Sequence, residues 1–261
     1  MLIKYRQNLG QNFLKDARAL DRIVSVLEIG SKDVVVEIGP GHGELTRRIL
    51  AQGPKKLVAI EKDGALIDHF LKEFLKNHAN LEVVEGDALK ELPKVVEGLG
   101  GEPYKLIGNI PYYITGHLLR TLGELEHKPS IITLTIQKEV ALRLCATPPK
   151  MNLLSASVGI WGNGKIIRYI SRKSFKPSPK VDSAILKIVP RKELVDPNYY
   201  KFIKALFGSP RKTVLNNLKA LNLPKEELEK ILFSIVLNPK ARPQDLTIKE
   251  IKRLFILFTH N

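Results

Sequence analysis

The chain has 261 residues, of which 44% are hydrophobic, and its 42 Lys and Arg against 27 Asp and Glu give a formal charge of +15. This composition excludes a disordered or fibrous chain and suits one large domain with a smaller one attached. A single cysteine, Cys145, excludes an internal disulfide and a cysteine-based metal cluster, and the six histidines show no ligand spacing. We therefore expect no metal site.

The positive charge is concentrated toward the C-terminus. The stretch from Lys165 to Lys219 holds 14 Lys and Arg against 3 Asp and Glu, a net +11. Such a field attracts polyanions, nucleic acid before an anionic membrane, although an evenly solvated surface is the alternative for any charge run. The N-terminus lacks the apolar core of a signal peptide, and no stretch has the apolar length of a membrane span. We expect a cytoplasmic monomer with no membrane partner.

Predicted helices and strands alternate over the first 150 residues. Asp16 is the expected cap of a helix that ends at Gly30, and residues 85–104 are expected to be a looser connection. The other predicted elements are strands 34–38, 57–60, 81–84, 105–107 and 131–136, and helices 44–51, 65–76, 117–122 and 138–144. This alternation predicts a parallel sheet covered on both faces.

The pattern changes after residue 155. Strands are predicted over 155–161, 165–170 and 184–189, closing one edge of the sheet in antiparallel fashion. A polar segment from Pro190 to Pro197 is the expected linker, and the apolar spacing beyond it is helical. We predict an α/β domain over residues 1–190 and a small all-α domain over residues 191–261, with the polyanion partner meeting the C-terminal third of the chain.

Three strand ends carry residues suited to an adenosine. The first strand runs into Gly39-Pro40-Gly41-His42-Gly43, where glycine lets a ligand approach the backbone N–H groups of a helix start. Glu61 ends the second strand, where a carboxylate can accept hydrogen bonds from ribose hydroxyls, and Asp87 follows the third, where it can accept from an exocyclic amine.

Each acid alone would more often be a solvated loop residue or a helix cap. Their succession at neighbouring strand ends favours an adenosine pocket instead. The glycine spacing departs from the G-x-G-x-x-G pattern of dinucleotide sites, and no phosphate-binding lysine follows it. S-adenosylmethionine therefore fits these requirements better than NAD or ATP.

The segment Gly108-Asn109-Ile110-Pro111-Tyr112-Tyr113 follows the fourth predicted strand and contains no acid, base or thiol. An exocyclic amine of adenine or cytosine is a poor nucleophile, so a site that methylates it needs acceptors for its N–H bonds. The Asn109 side-chain oxygen and the Ile110 carbonyl, on a turn stiffened by Pro111, are the predicted acceptors. Tyr112 is the predicted stacking partner of an extruded base.

These motifs resemble those of the rRNA adenine N6,N6-dimethyltransferase family. Gln11-Asn12-Phe13-Leu14 is similar to its N-terminal Q-N-F-L segment, and Gln137-Lys138-Glu139-Val140 to its Q-K-E-V helix. The stretch from Phe175 to Ser183 resembles its F-x-P-x-P-K-V-D-S loop, and Arg211-Lys212-Thr213 with Asn216-Asn217-Leu218 resembles a motif of the small-subunit branch. Met151-Asn152 and Pro210 depart from the pattern of that branch.

The resemblance implies a class I, Rossmann-like methyltransferase fold that uses S-adenosylmethionine. It implies dimethylation of two adjacent adenosines in the 3′-terminal hairpin loop of small-subunit (16S) rRNA, within an immature 30S particle. It also implies that Phe175 sandwiches the base against Tyr112. The implied cofactor contacts are Asn12, Leu14, Gly39, Gly41, Glu61, Asp87 and Asn109. The expected phosphate contacts are Arg172, Lys173, Lys176, Lys180, Arg211 and Lys212.

Three other functions stay open from the sequence. The chain could be a non-catalytic rRNA-binding assembly factor, although every implied cofactor and target position is present. It could be a large-subunit rRNA adenine-N6 methyltransferase of the macrolide-resistance type, which shares the core motifs. Adenine-N6 methylation of DNA shares the N-x-P-Y chemistry, but the basic C-terminal region and the F-x-P-x-P-K-V-D-S loop count against it.

Overall fold

The computed structural model describes residues 12–221, 225–235, 238 and 240–259, so the predicted contribution of Gln11 lies outside it. The chain packs as two compact units. The first comprises Met1–Ala141 and Gly164–Lys192, and the second comprises Leu142–Asn163 and Glu193–Asn261. The sequence-based boundary at residue 190 assigns Leu142–Asn163 to the first domain, whereas the structure packs this segment with the C-terminal helices.

The strands of the described residues form one large and one small sheet. In chain order they are β1 (Phe13–Leu14), β2 (Val34–Ile38), β3 (Lys56–Glu61), β4 (Leu81–Glu85), β5 (Tyr104–Asn109), β6 (Ile131–Gln137), β7 (Gly162–Ile170), β8 (Phe175–Lys176) and β9 (Ser183–Pro190).

The large sheet has the order β4-β3-β2-β5-β6-β9-β7, and β1 pairs with β8 in the small one. Strands β2 to β6 run parallel, and β9 runs antiparallel to β6. The chain builds outward from β2 to β4 and then returns to add β5 on the other side of β2. The carboxyl ends of β2 and β5 therefore meet at a topological switch point, the place where open α/β sheets bind ligands.

Twelve α-helices are formed by the described residues. They are α1 (Ala17–Leu27), α2 (Glu44–Leu50), α3 (Gly64–Leu66), α4 (Lys72–Asn77), α5 (Ala88–Gly98), α6 (Thr115–Glu124), α7 (Lys138–Leu144), α8 (Leu153–Gly159), α9 (Pro197–Leu206), α10 (Val214–Leu218), α11 (Lys225–Ser234) and α12 (Ile248–Thr259).

Local signals explain where α1 lies. The Asp16 carboxylate accepts a hydrogen bond from the Ala19 backbone N–H at 3.1 Å, which confirms the predicted cap. The helix ends at Leu27 rather than at Gly30, because Glu28 takes the left-handed conformation that stops it. Its apolar stripe is buried in a core cluster with residues of β2 and β3, so the helix covers one face of the sheet.

Two predictions about secondary structure were wrong. Residues 155–161, predicted as a strand, belong mostly to α8, because the Asn152 side chain accepts from the Ser155 N–H while the Ser155 hydroxyl accepts from the Asn152 N–H. This reciprocal cap starts a helix in a run whose composition also suits a strand. The looser connection predicted after β4 contains α5, which is capped by Asp87 and tolerates Pro93.

No helix within the described ranges is long and apolar enough to cross a membrane.

Candidate active site

A cleft opens at the carboxyl ends of β2, β3 and β5, on both sides of the switch point. The glycine turn after β2, Glu61 at the end of β3 and the segment that begins at Asn109 meet there. The lining residues are Asn12, Phe13, Gly39, Gly41, Glu61, Lys62, Leu66, Asn109, Ile110, Pro111, Tyr112 and Tyr113.

Both the backbone angles of this turn and its close contact with another side chain favour glycine. Gly39 and Gly41 have φ values of 68° and 58°, in the left-handed region that favours glycine. A Cβ on Gly41 would lie 2.8 Å from the Phe13 ring. That ring in turn stacks on His42, with centroids 3.9 Å apart. The turn therefore packs against the segment around Phe13 and holds that segment at the cleft.

Glu61 is a buried carboxylate held by backbone donors. Its Oε1 accepts from the Lys62 and Asp63 N–H groups at 2.8 and 2.9 Å, and its Oε2 accepts from the Gly41 N–H at 3.0 Å. Burial raises the pKa of this carboxyl, while the three backbone donors oppose the shift. Two carboxylate oxygens offer about four acceptor positions. One acceptor position on Oε2 is thus left for a ribose hydroxyl.

Asp87 is not among the residues that line the cleft. Its carboxylate caps α5 by accepting from the Leu89 N–H at 3.0 Å, and it pairs with Lys62 Nζ at 2.8 Å. The hydrogen bond from Lys62 lowers the pKa of Asp87 despite partial burial. Lys62, which lines the cleft, is therefore the partner of the carboxylate that was predicted to bind an adenine amine.

The Asn109 amide has a defined orientation. Its Nδ2 donates to the backbone carbonyl of Asn12 at 2.8 Å. Because a carbonyl can only accept, the side-chain oxygen Oδ1 is the end left to accept from a ligand. The next residue, Ile110, is fixed by its N–H, which donates to the Thr135 carbonyl at 3.2 Å. Asn109 and Ile110 both line the cleft, as the acceptor role predicted for them requires.

The Tyr112 ring is anchored through its hydroxyl, which shares a hydrogen bond of 2.7 Å with the Ser183 hydroxyl at the start of β9. Burial raises the pKa of the Tyr112 phenol, so the ring stays neutral at ordinary pH. A ring tethered at its polar end can present a fixed face to a base. The neighbouring Tyr113 is largely exposed at the rim.

Leu14 and Phe175 lie in the hydrophobic core instead of the cleft. They face each other in the pairing of β1 with β8, and only 2% and 4% of their surfaces are exposed. A ring buried among aliphatic side chains offers no face to a base, so this structure does not form the sandwich implied for Phe175. Through the pairing of β1 with β8, Phe175 instead connects the segment after Asn12 to the loop before Ser183.

The predicted phosphate contacts are exposed in both units. Arg172, Lys173, Lys176 and Lys180 belong to the first unit, and Arg211 and Lys212 to the second. Arg172 also has a structural role, because its backbone N–H donates to Asp182 Oδ1 at 3.0 Å. Across the described part of the chain, no group of histidine, cysteine or acidic side chains is arranged to hold a metal ion.

Sequence reasoning did not assign Phe13, Lys62, Leu66 or Tyr113 to the cleft. Phe13, Lys62 and Tyr113 each adjoin a residue that it did assign, which are Asn12, Glu61 and Tyr112. Adjacency in the sequence was therefore an available signal for these three.

A seven-stranded, mainly parallel sheet with a glycine turn, an acid and an N-x-P-Y segment at the switch point defines a Rossmann-like methyltransferase. The model of the family described as ribosomal RNA adenine dimethylase matches residues 3–260.

Curated relatives support the same assignment. A ribosomal RNA small subunit methyltransferase A from Dehalococcoides mccartyi (strain CBDB1) is 35% identical over 99% of this chain and 90% of its own length. One with the same name from Clostridium botulinum (strain Langeland / NCTC 10281 / Type F) is 38% identical, covering 96% and 93%.

Solved structures agree with these relatives. A dimethyladenosine transferase from Plasmodium falciparum superposes with a TM-score of 0.81 and 29% identity over 95% of this chain and 98% of that one. The 23S rRNA methyltransferase ErmE superposes with a TM-score of 0.74 and 27% identity over 95% and 100%. The chain belongs to the ribosomal RNA adenine dimethylase family, and it is an rRNA adenine methyltransferase.

Proposed function

We propose that the chain transfers methyl groups from S-adenosylmethionine to N6 of two adjacent adenosines in the 3′-terminal hairpin loop of small-subunit (16S) rRNA. The product is N6,N6-dimethyladenosine, and the substrate is the rRNA within an immature 30S particle. Relatives at 35–38% identity that are named small-subunit methyltransferases support this choice over the large-subunit alternative. The motif around Arg211-Lys212-Thr213 also favours the small-subunit branch.

The orientation of the Asn109 amide is the observation that carries the proposal. Its donor end is occupied by the Asn12 carbonyl at 2.8 Å, so its oxygen accepts one N–H bond of the target amine. The Ile110 carbonyl accepts the other. In the first transfer both N–H bonds are held, so the lone pair of the amine would point toward the methyl donor, and proximity and orientation supply the rate enhancement. Each transfer replaces one N–H bond with an N–CH3 bond and releases the proton to solvent, so the second transfer starts from an amine with a single N–H. Tyr112, neutral and tethered to Ser183, stacks on the base.

The cleft fits an adenosine-bearing cofactor at the glycine turn and at Glu61. The turn exposes backbone at φ angles that favour glycine, and Glu61 keeps one acceptor position for a ribose hydroxyl. Asn12, Gly39, Gly41, Glu61 and Asn109 would hold the cofactor. S-adenosylmethionine, when bound, supplies a methyl group already activated on a sulfonium, which is why the cleft needs no nucleophile. Leu14 and Asp87 would act indirectly, through β1 and through Lys62.

The test compares Asn109→Ala with Asn163→Ala, a matched change at an exposed position outside the cleft. Methyl transfer to immature small subunits should be abolished in Asn109→Ala, because one acceptor of the amine is lost. Cofactor affinity, measured by calorimetry, should stay within roughly tenfold, a loss of about 1.4 kcal/mol. Asn163→Ala should match the wild type in both assays. Methyl incorporation near the wild-type rate in Asn109→Ala would contradict the proposed role.

Substrate choice is tested separately. Mass spectrometry of both rRNAs, from cells with and without the protein, should show dimethyladenosine lost only from the small-subunit rRNA. A loss from the large-subunit rRNA would instead indicate the alternative substrate. Comparing immature subunits with bare rRNA in the transfer assay tests whether the assembled particle is the substrate.

A further inference from the structure

Tyr169 is an exposed aromatic residue on the edge strand β7. About half of its surface, 49%, is accessible, although tyrosine rings usually bury most of their apolar surface. The Lys138 ammonium lies 4.8 Å from the ring centroid. A cation at this distance holds the ring through a cation–π interaction. The pair thus forms a preoriented aromatic surface with a positive charge beside it.

This pair lies at the same edge of the sheet as the cleft. The Lys138 backbone N–H donates to the Asp182 carbonyl at 2.9 Å. The next residue, Ser183, holds the Tyr112 hydroxyl at 2.7 Å and is the register partner of Gln137, which precedes Lys138. Lys138 and Tyr112 are therefore hydrogen-bonded to consecutive residues, Asp182 and Ser183.

The surroundings suit a nucleic-acid strand. Two further apolar side chains, Val181 and Tyr113, are exposed near this edge. Arg172 and Lys180 are exposed on the loop that carries Asp182. The nearby Asp182 carboxylate is occupied by the Arg172 N–H at 3.0 Å. Exposed rings among cations are the surface on which unpaired bases stack while lysine and arginine neutralise the phosphates.

We propose that Tyr169 and Lys138 form a second nucleotide subsite, in which the unpaired RNA base next to the target adenosine stacks on the Tyr169 ring. The inference rests on the proposed function, because it takes a looped RNA strand as the substrate. The ligand class is a single-stranded RNA base with its phosphate, and Lys138 neutralises that phosphate. A subsite beside the cleft explains how the protein binds two adjacent adenosines at the same time. One lies in the cleft while its neighbour rests on Tyr169.

The experiment places 2-aminopurine next to the target adenosine in a hairpin RNA and records its fluorescence in complex with the protein. The variants are Tyr169→Ala and Tyr169→Phe, with Phe233→Ala as a control that removes an 86% exposed aromatic ring from the second unit. The wild type and Phe233→Ala keep the Tyr169 ring, and Tyr169→Phe keeps an aromatic ring at the same position. All three should therefore quench the fluorescence of the probe. Tyr169→Ala should lose the quenching and bind the RNA roughly tenfold more weakly, with cofactor affinity unchanged.

Lys138→Met gives a second measurement. The slope of log affinity against log salt should fall by about one in this variant, because one phosphate contact is removed. Quenching of the probe in Tyr169→Ala at the wild-type level would overturn the inference. If the wild-type protein neither bound nor methylated any rRNA, the proposed function would fail instead, and the two failures are therefore distinguishable.

Discussion

Glu37 is a carboxyl in the centre of the sheet and is completely buried. Its Oε2 accepts a hydrogen bond from the Thr46 hydroxyl at 2.8 Å, while Oε1 has no hydrogen-bond partner among the described residues. Burial raises the pKa of Glu37 from 4.5 to about 8, and the charges of Glu61 and Glu44 add to the rise. The folded protein therefore holds a proton on Glu37 at neutral pH that the unfolded chain releases.

The sign of the pH effect follows from this difference. For a group whose pKa is raised on folding, its stabilising contribution is complete below 4.5 and is lost as pH rises toward about 8. Within that window each pH unit lowers the free energy of unfolding by up to about 1.4 kcal/mol. Raising the pH from about 5.5 to about 7.5 should thus lower the free energy of unfolding of the wild type by about 2 kcal/mol through Glu37. Glu37→Gln should remove this pH dependence.

The assay is native-state hydrogen exchange of the β2 amides, corrected for intrinsic exchange, in the wild type and Glu37→Gln. The single tryptophan, Trp161, belongs to the second unit and would report on that unit instead. Subtracting the two stabilities at each pH cancels the groups they share. Glu97→Gln, an exposed change on α5, is the control for replacing a carboxyl with an amide. A difference between the wild type and Glu37→Gln that does not vary with pH would refute the protonated carboxyl.

Two further predictions concern the cleft. Ser183→Ala and Tyr112→Phe each remove the same 2.7 Å hydrogen bond, so each should slow methyl transfer, and the double variant should be no slower than the worse single one. Additive losses in single-turnover rates would show that Ser183 does not act through Tyr112. Gly41→Ala should lower the free energy of unfolding by more than Gly53→Ala. Both positions have positive φ, costing about 1–2 kcal/mol each, but only Gly41 also meets the Phe13 ring. Equal losses in chemical denaturation would contradict the Phe13 contact.

Local sequence patterns predicted most of the first unit. The apolar stripe of α1 and its Asp16 cap lie within eleven residues of each other. Signals between residues so close in the sequence do not depend on how distant elements pack. Strand ends were also predictable, because parallel strands bring their carboxyl ends to one edge of the sheet. The positions of Gly39, Glu61 and Asn109 on one cleft follow from that rule. The strand predicted in place of α8 was wrong because its cap depends on one pair of side chains, Asn152 and Ser155.

The sequence by itself determined the α/β class, the strand ends that carry the cleft and the place of the uncharged segment that begins at Asn109. Only the tertiary structure decided which side chains reach that cleft. Lys62 takes Asp87 as its partner across 25 residues, and Tyr112 takes Ser183 across 71. Phe175 is buried because its strand pairs with β1. Such contacts depend on how distant elements pack and pair, and the spacing of residues along one element carries no information about them.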